Sequence, residues 1–339
     1  MKTLKFVDKI IFLINSLVAF LLFISYLLPY IPPNRFATLS VLSLGVPLLI
    51  LLNLIFFAYW LLRIKKQFLL SLVVLILGWS HISSMYKFTS SEHAEDAGNI
   101  SIMSFNVRLF NRLNWLPNKT VKEDIEQLID TEQPDIISLQ EYNRGNPIRR
   151  KDYYNYNATY TRDARGGLSI FSKFPIINSG SLEFKDTDNN AIFVDIVKQK
   201  DTIRVYNLHL QSAGINTSAG HLKKETSEHF FRQVGSTFKK QHEQVDLLLE
   251  HKSACHYKTI VTGDFNNTAY SFVYKALKGD LVDTFKEAGS GFGRTYNFKF
   301  FPMRIDFILV DEAFTVNGYK TYDVLLSDHF PIKATVKLH

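Results

Sequence analysis

Near the C-terminus, Arg304-Ile305-Asp306 stands just before the apolar run Phe307-Ile308-Leu309-Val310, and Ser327-Asp328-His329-Phe330-Pro331 opens the next such run. Two carboxylates and an imidazole are thereby set where loops leave a sheet, the usual position of catalytic side chains. An Asp–His pair can hold or move a proton, because the carboxylate fixes the imidazole tautomer and stabilises its cation. The same event recurs upstream, where strand-like runs end in polar residues that a core strand would not keep: Asn106, Glu141, Asn207 with His209, and Asp264 with Asn266. Each alone has an ordinary explanation. Asn106 could cap a turn, Glu141 could be a solvated strand end, His209 a satisfied core histidine and Gly263-Asp264 a turn. Recurrence of the pattern is what marks a site.

The elements that must carry these residues follow from periodicity. From Asn99 the chain reads strand, loop, helix, strand: 100–107 alternates, Val121, Ile125, Leu128 and Ile129 recur at helical spacing up to Pro134, and 135–139 is again extended. Further strands are expected at 167–171, 191–197, 203–210, 258–261, 306–310 and 331–338, and a long helix over 228–251 with Phe231, Val234, Phe238, Val245 and Leu248 inward. Many strands with few helices predict an α/β (α+β) layered sandwich, two packed β-sheets flanked by helices.

In order and context, Ser104-Phe105-Asn106-Val107, Leu139-Gln140-Glu141, Asn207-Leu208-His209, Gly263-Asp264-Phe265-Asn266, Arg304-Ile305-Asp306-Phe307-Ile308 and Ser327-Asp328-His329-Phe330-Pro331 resemble the motifs of the endonuclease/exonuclease/phosphatase superfamily. The resemblance covers residues 99–339 and implies metal-dependent phosphodiester hydrolysis. An anionic phosphodiester yields to water only with charge neutralisation, a positioned nucleophile and a stabilised leaving oxygen. A hard cation, Mg²⁺ with Mn²⁺ as the alternative, would take oxygen ligands. Glu141 is the first expected ligand, with Asn106 beside it and Asp328 contributing. The resemblance assigns Asp264 to the attacking water, Asn266 to the scissile phosphate, with Asn207 also on the substrate side, His329 oriented by Asp306 to a phosphate oxygen or proton transfer, and His209 to a second phosphate-side imidazole. The same fold serves nucleases, inositol polyphosphate phosphatases and sphingomyelinases. A nuclease is the family default. A phospholipid, sphingolipid or inositol-phosphate phosphoesterase and a catalytically silent binding module are the alternatives.

Composition adds an address. The chain has 339 residues, is 46% hydrophobic and carries a formal charge of +7. Residues 1–99 hold eight Lys/Arg and four Asp/Glu, and residues 100–339 hold 31 and 28, so the second part is nearly balanced and does not demand nucleic acid. Cys255 is the single cysteine, which excludes an intramolecular disulfide and a multi-Cys metal site. Residues 1–87 read as a transmembrane anchor with three predicted transmembrane helices at 6–30, 36–62 and 68–83, and 88–98 as a linker to the catalytic domain. With Lys2, Lys5, Lys9, Arg63, Lys65 and Lys66 inside, the chain is a multi-pass protein of the cytoplasmic membrane and the domain is extracytoplasmic. Without the third span the domain would be cytoplasmic.

Three weaker stretches remain. Gly166-Gly167 before Leu168 fits a substrate-side loop or a plain bulge. Arg149, Arg150, Lys151, Arg162 and Arg165 make a solvated basic surface or contact phosphate. Phe298-Lys299-Phe300-Phe301-Pro302-Met303 could stack on bases, dip into a membrane interface or form an edge strand with alternating buried Phe. The topology predicts that a reporter fused after residue 95 is active only in an export-dependent form; activity only in a cytosolic form would reverse the orientation.

Overall fold

The computed structural model describes residues 4–89, 98–159, 166–214, 227–299 and 301–339. The apolar N-terminal part forms α1 (Phe6–Ser25), α2 (Pro33–Val41), α3 (Val46–Leu62), α4 (Phe68–Leu77) and α5 (Trp79–Met85). Two stretches, Phe6–Tyr30 and Pro33–Leu62, are long and apolar enough to cross a membrane. The third expected span is not one straight helix, because α4 and α5 bend by 76° at Gly78. Tyr26 packs into the bend: its hydroxyl donates to the Val74 carbonyl at 2.9 Å, and a Cβ on Gly78 would meet that hydroxyl at 2.0 Å, so the close approach requires glycine. Polar side chains knit the bundle, with Asn15 Nδ2 donating to Ser71 Oγ at 2.8 Å and Trp60 Nε1 to Asn15 Oδ1 at 3.0 Å. An ion pair between Arg63 and Asp8 ties the end of α3 to the start of α1.

The remaining elements are β2 (Ile100–Asn106), α6 (Val121–Glu132), β3 (Ile136–Tyr142), β4 (Tyr154–Thr159), β5 (Gly167–Ser172), β6 (Ile176–Ser181), β7 (Asn190–Lys198), β8 (Asp201–His209), α7 (Ser227–Ser253), β9 (Lys258–Asp264), α8 (Phe272–Lys278), β10 (Val282–Asp283), α9 (Thr284–Ala288), β11 (Gly291–Phe292), β12 (Asp306–Val310), β13 (Phe314–Thr321) and β14 (Ile332–Leu338), preceded by β1 (Tyr86–Lys87). Two six-stranded sheets form, in the orders β13-β14-β2-β3-β5-β4 and β10-β12-β9-β8-β7-β6. In each, one pair is parallel, β2 with β3 and β8 with β9, and the other pairs run antiparallel. Ile100, Ile102 and Ile136 of the first sheet meet Val205, Ile260 and Ile308 of the second in one apolar layer. Helix α6 covers the outer face of the first sheet through Ile125 and Ile129, while α7 and α8 cover the second through Val245, Leu248 and Leu277. The layered sandwich expected from the strand pattern is what forms.

Helix α7 serves two surfaces. Its C-terminal half packs on the sheet, but Val234 and Phe238 pack against Val41 of α2, so the N-terminal segment lies on the sandwich as well as before it. Strand β1 pairs antiparallel with β11, Tyr86 opposite Phe292. Tyr270 shares an apolar cluster with Leu28, Val46 and Ile82, and its ring stacks on His81 at 5.9 Å. Of the expected linker, residues 90–97 lie outside the described residues.

Polar bonds lock the two sheets together near one end. Gln140 Nε2 donates to Asn207 Oδ1 at 2.7 Å, Asn207 Nδ2 donates to the carbonyls of Leu139 and Ser169 at 2.9 Å each, and Thr262 Oγ1 donates to Ser138 Oγ at 2.7 Å. This corrects the expectation for Asn207: its amide is fully buried and spent between sheets, leaving it nothing to offer a substrate. Asn207→Ala would orphan one buried donor and two carbonyls, and is expected to destabilise by about 2–4 kcal/mol. Its residual folded fraction should keep wild-type turnover, which thermal unfolding with activity assays checks.

Candidate active site

Both parallel pairs end on the same side of the sandwich, and this brings the sequence motifs together. Asn106 ends β2, Glu141 lies one residue from the end of β3, His209 ends β8 and Asp264 ends β9. Strand β12 runs antiparallel to β9 with Asp306 directly opposite Asp264. His329 precedes β14, whose Ile332 pairs with Ser104 of β2.

His329 Nδ1 donates to Asp306, lying 3.1 and 3.0 Å from the two carboxylate oxygens, while its Nε2 lies 3.6 Å from Asp264 Oδ2. Burial opposes a charged imidazole, yet the carboxylates of Asp306 and Asp264 outweigh it and lift His329 to about 10. Burial, reinforced by the Asp306 charge and offset by His329 and His209, pushes Asp264 up to about 6. His209 goes the other way, lowered chiefly by burial, and its Nε2 stands 3.7 Å from Asp264 and 3.9 Å from Glu141. The two imidazoles are thus a cation and a neutral base in one cluster.

Local backbone aims the carboxylates. The β3–β5 register shifts between Leu139 and Tyr142, and Glu141 takes a left-handed φ of 49°, a bulge that turns its side chain out of the ladder. Gly263 has φ 136°, and a Cβ there would meet the Leu208 carbonyl oxygen at 2.1 Å, so only glycine lets β9 run beside β8 and deliver Asp264. Asn106 Nδ2 donates to Glu141 Oε1 and to Asp264 Oδ2, both at 3.1 Å. Thr295 Oγ1 accepts from the backbone N–H of Ile305 and of Asp306 at 3.0 Å and sets the start of β12.

Asp264, Asp306 and His329 each bring one donor atom within 4.8 Å of the others, a candidate metal site. Glu141 adds an oxygen donor that accepts one hydrogen bond, from Asn106, among the described residues. Two carboxylates converging on one amide nitrogen concentrate negative charge on hard oxygen ligands, which fits a divalent cation. Two expected ligands are otherwise engaged. Asn106 presents its N–H₂ to both carboxylates, so in this arrangement it positions them, and Asp328 is ion-paired with Arg108 at 2.8 Å. Asn266 lines the cavity, but its side-chain N–H₂ donates to the Leu210 carbonyl at 2.9 Å and its backbone N–H to Asp264 at 2.8 Å, which makes it a brace for the Asp264 loop.

The cluster opens into a cavity of ≈ 540 Å³ lined on one side by Glu141, His209, Asp264, Asp328 and His329. Phe298, Phe301 and Met303 line it too, and Tyr296 bridges to both Met303 and His329, so the Phe-rich stretch is a cavity-wall loop, not an edge strand. Phe300 lies outside the described residues, as do Arg162 and Arg165. Arg150 is ion-paired with Asp130, on the outer surface beside α6. The sequence reading missed Arg108 and Tyr296. Arg108 begins four consecutive left-handed residues, Arg108 to Asn111 with φ 43–57°, and its guanidinium lies 4.1 Å from the Trp115 ring. Its place two residues after Asn106 was a usable signal. Tyr296 packs edge-on against His329 at 5.0 Å and had none.

Residues 103–329 match the family model described as Endonuclease/Exonuclease/phosphatase family, and residues 8–85 match a domain of unknown function, DUF8431. No curated protein matches the chain. Among solved structures, the human Nocturnin catalytic domain with bound sulfate anion is 19% identical, with 76% of this chain and 98% of that one covered and a TM-score of 0.54. Zebrafish (D. rerio) TDP2 complexed with single strand DNA product is 17% identical over 71% of this chain and 100% of that one, TM-score 0.54. The endonuclease/exonuclease/phosphatase from Bacteroides vulgatus is 22% identical over 71% and 99%, TM-score 0.52. At these identities the structures share the fold.

A histidine held up at about 10 adds stability that is complete below its unfolded value and lost as the pH rises through the folded one. For metal-free, detergent-solubilised protein, the unfolding midpoints of wild type and His329→Gln are therefore expected to lie well apart at neutral pH. They should converge above pH ~10. A gap that stays constant would mean that His329 is neutral in the folded chain.

Proposed function

Because the chain belongs to the endonuclease/exonuclease/phosphatase family, we propose that it is a divalent-metal-dependent hydrolase of phosphodiester bonds, anchored in a membrane by its N-terminal helices. The observation that carries this reading is the Asp306–His329–Asp264 array beside Glu141, opening into a single cavity. Glu141 would hold the cation, Mg²⁺ with Mn²⁺ as the alternative, and Asp328 would join it on leaving Arg108; the bound cation supplies charge neutralisation at the phosphate. Asp264, raised to about 6, takes the proton of the attacking water at neutral pH. The water oxygen bonds to phosphorus, one phosphorus–oxygen ester bond breaks, and the alcohol leaves with a proton. His329, held as a cation by Asp306, steadies a non-bridging phosphate oxygen, and neutral His209 stands ready on the other side of Asp264.

Nucleic acid is the family default, as the TDP2 complex with a DNA product illustrates for that protein, and the phosphodiester chemistry proposed here is the same for a nucleic acid or a lipid. Orientation follows from charge. Lys5, Lys9, Arg63, Lys65 and Lys66 gather at the bundle end away from the sandwich, so the cytoplasm lies there and the catalytic domain, residues 99–339, lies outside the cytoplasmic membrane.

The full chain in detergent with Mg²⁺ is expected to hydrolyse bis(p-nitrophenyl) phosphate and to lose that activity in EDTA. Asp264→Asn and His329→Ala should each lower kcat by a factor on the order of 10²–10⁴ while the unfolding transition remains cooperative. Full turnover by either variant would sink the mechanism; EDTA-resistant turnover would overturn the metal dependence, and absent turnover would leave a binding module.

A further inference from the structure

The wall of the active-site cavity opposite the carboxylates is not built by the sandwich alone. Val41, Leu42, Leu44 and Gly45, within the membrane-length stretch Pro33–Leu62, line the same cavity as Asp264 and His329. Phe230, Phe231 and Phe238 of α7 complete that side. Val41, Val234 and Phe238 pack as one buried cluster with Leu44 against it, and a Cβ on Gly235 would stand 3.3 Å from Ala37 Cβ. The segment that enters the bundle is therefore joined to the catalytic half by close packing.

Beyond Gly45 the same stretch continues into α3 with Leu48, Leu51 and Ile55 more than half exposed, the side chains a bilayer would cover. An apolar path thus runs from the outside of the bundle, past Leu42 and Leu44, to the mouth of the carboxylate cluster. The charge of the cavity points the same way. Its titratable lining is carboxylate, imidazole and the Tyr296 phenol, and no Lys or Arg lines it among the described residues. A polynucleotide would need several phosphate-neutralising cations along its track. A single phosphate with an apolar tail needs one charged end and one greasy wall, which is what is present.

Resting on the hydrolase reading above, we infer that the 41–45 segment of the N-terminal region is part of the substrate site. It receives the acyl chains of a glycerophospholipid drawn from the surrounding leaflet, whose phosphodiester lies at Glu141, Asp264 and His329. The reaction is the same balanced hydrolysis: water oxygen bonds to phosphorus, one ester bond to phosphorus breaks, and the released alcohol carries the proton. Here the membrane segment selects the substrate as well as holding the enzyme.

The test reconstitutes the full chain in vesicles of phosphatidylcholine and phosphatidylglycerol and compares it with Leu42→Glu and Gly45→Leu, alongside bis(p-nitrophenyl) phosphate as a soluble substrate. Leu42 is half exposed and a Cβ on Gly45 would meet nothing within 4 Å, so both variants spare the core. Wild type should hydrolyse vesicle lipid, and both variants should lower the ratio of lipid to soluble turnover by about tenfold or more. Wild-type hydrolysis of the soluble ester without any of vesicle lipid would overturn this inference and leave the hydrolase reading standing, as would equal lipid turnover by all three. Absence of both activities would overturn the hydrolase reading and this inference with it. Independently of turnover, a phosphatidylcholine with a photoreactive acyl chain should cross-link to 41–45 or to Phe230 and Phe231 in the His329→Ala chain. Cross-links confined to α1 and to α3 beyond residue 45 would also count against it.

Discussion

The arrangement of the site depends on one electrostatic constraint: two carboxylates, Asp264 and Asp306, are buried opposite each other on neighbouring strands. Like charges at that separation in a low-dielectric interior are costly unless a cation joins them. His329 is that cation, bonded to one carboxylate and within 3.6 Å of the other. Satisfying it requires the loop before β14 to reach across to β12, which Thr295 and Tyr296 arrange by binding the backbone of Asp306 and packing on the imidazole. Asp264 also meets Glu141 through the shared amide of Asn106, which brings a further negative charge to that side of the cluster.

The sheet interior is graded to serve this. At one end the layer between the sheets is aliphatic; toward the site it becomes Ser138, Gln140, Asn207 and Thr262, each with a partner across the gap. Such a satisfied network rigidifies the strand ends from which the catalytic groups project. Among the departures from regular geometry, the bulge at Glu141 borders the cavity, and the left-handed run from Arg108 begins two residues after Asn106. Backbone energy is stored where side chains must be aimed.

Much of this was legible in the sequence. Central strands such as those carrying Ile136-Ile137 and Ile260-Val261 are buried on both faces there and read as plain apolar runs, and the polar residues ending each one announced the site. Strands β4, β6 and β13 were missed because they are edges: Tyr154-Asn155-Tyr156-Asn157, Ile176–Ser181 and Asn317-Gly318 mix solvent-facing polar residues and glycine into the pattern. Asn207 was assigned to substrate because composition cannot tell an amide that faces a ligand from one that faces the other sheet. The break at Gly78 was invisible because the side chain packed into it, Tyr26, is far away in sequence. Nor could periodicity show that the apolar face at Phe231, Val234 and Phe238 had been made for another segment of the same chain.

Strand β1 lies before residues 90–97 and its partner β11 after them, and the contacts of Tyr270 with the bundle join the two sides in the same way. The stretch that looked like a leash is therefore not what holds the two halves together. Severing it would leave the sandwich seated where it was, and lengthening it would give the catalytic groups no greater reach. On the reading proposed above, an enzyme mounted in this way would work on what arrives by lateral diffusion in its own plane. Its rate would then follow the number of substrate molecules per unit of surface around it, and bulk concentration would count only through that density.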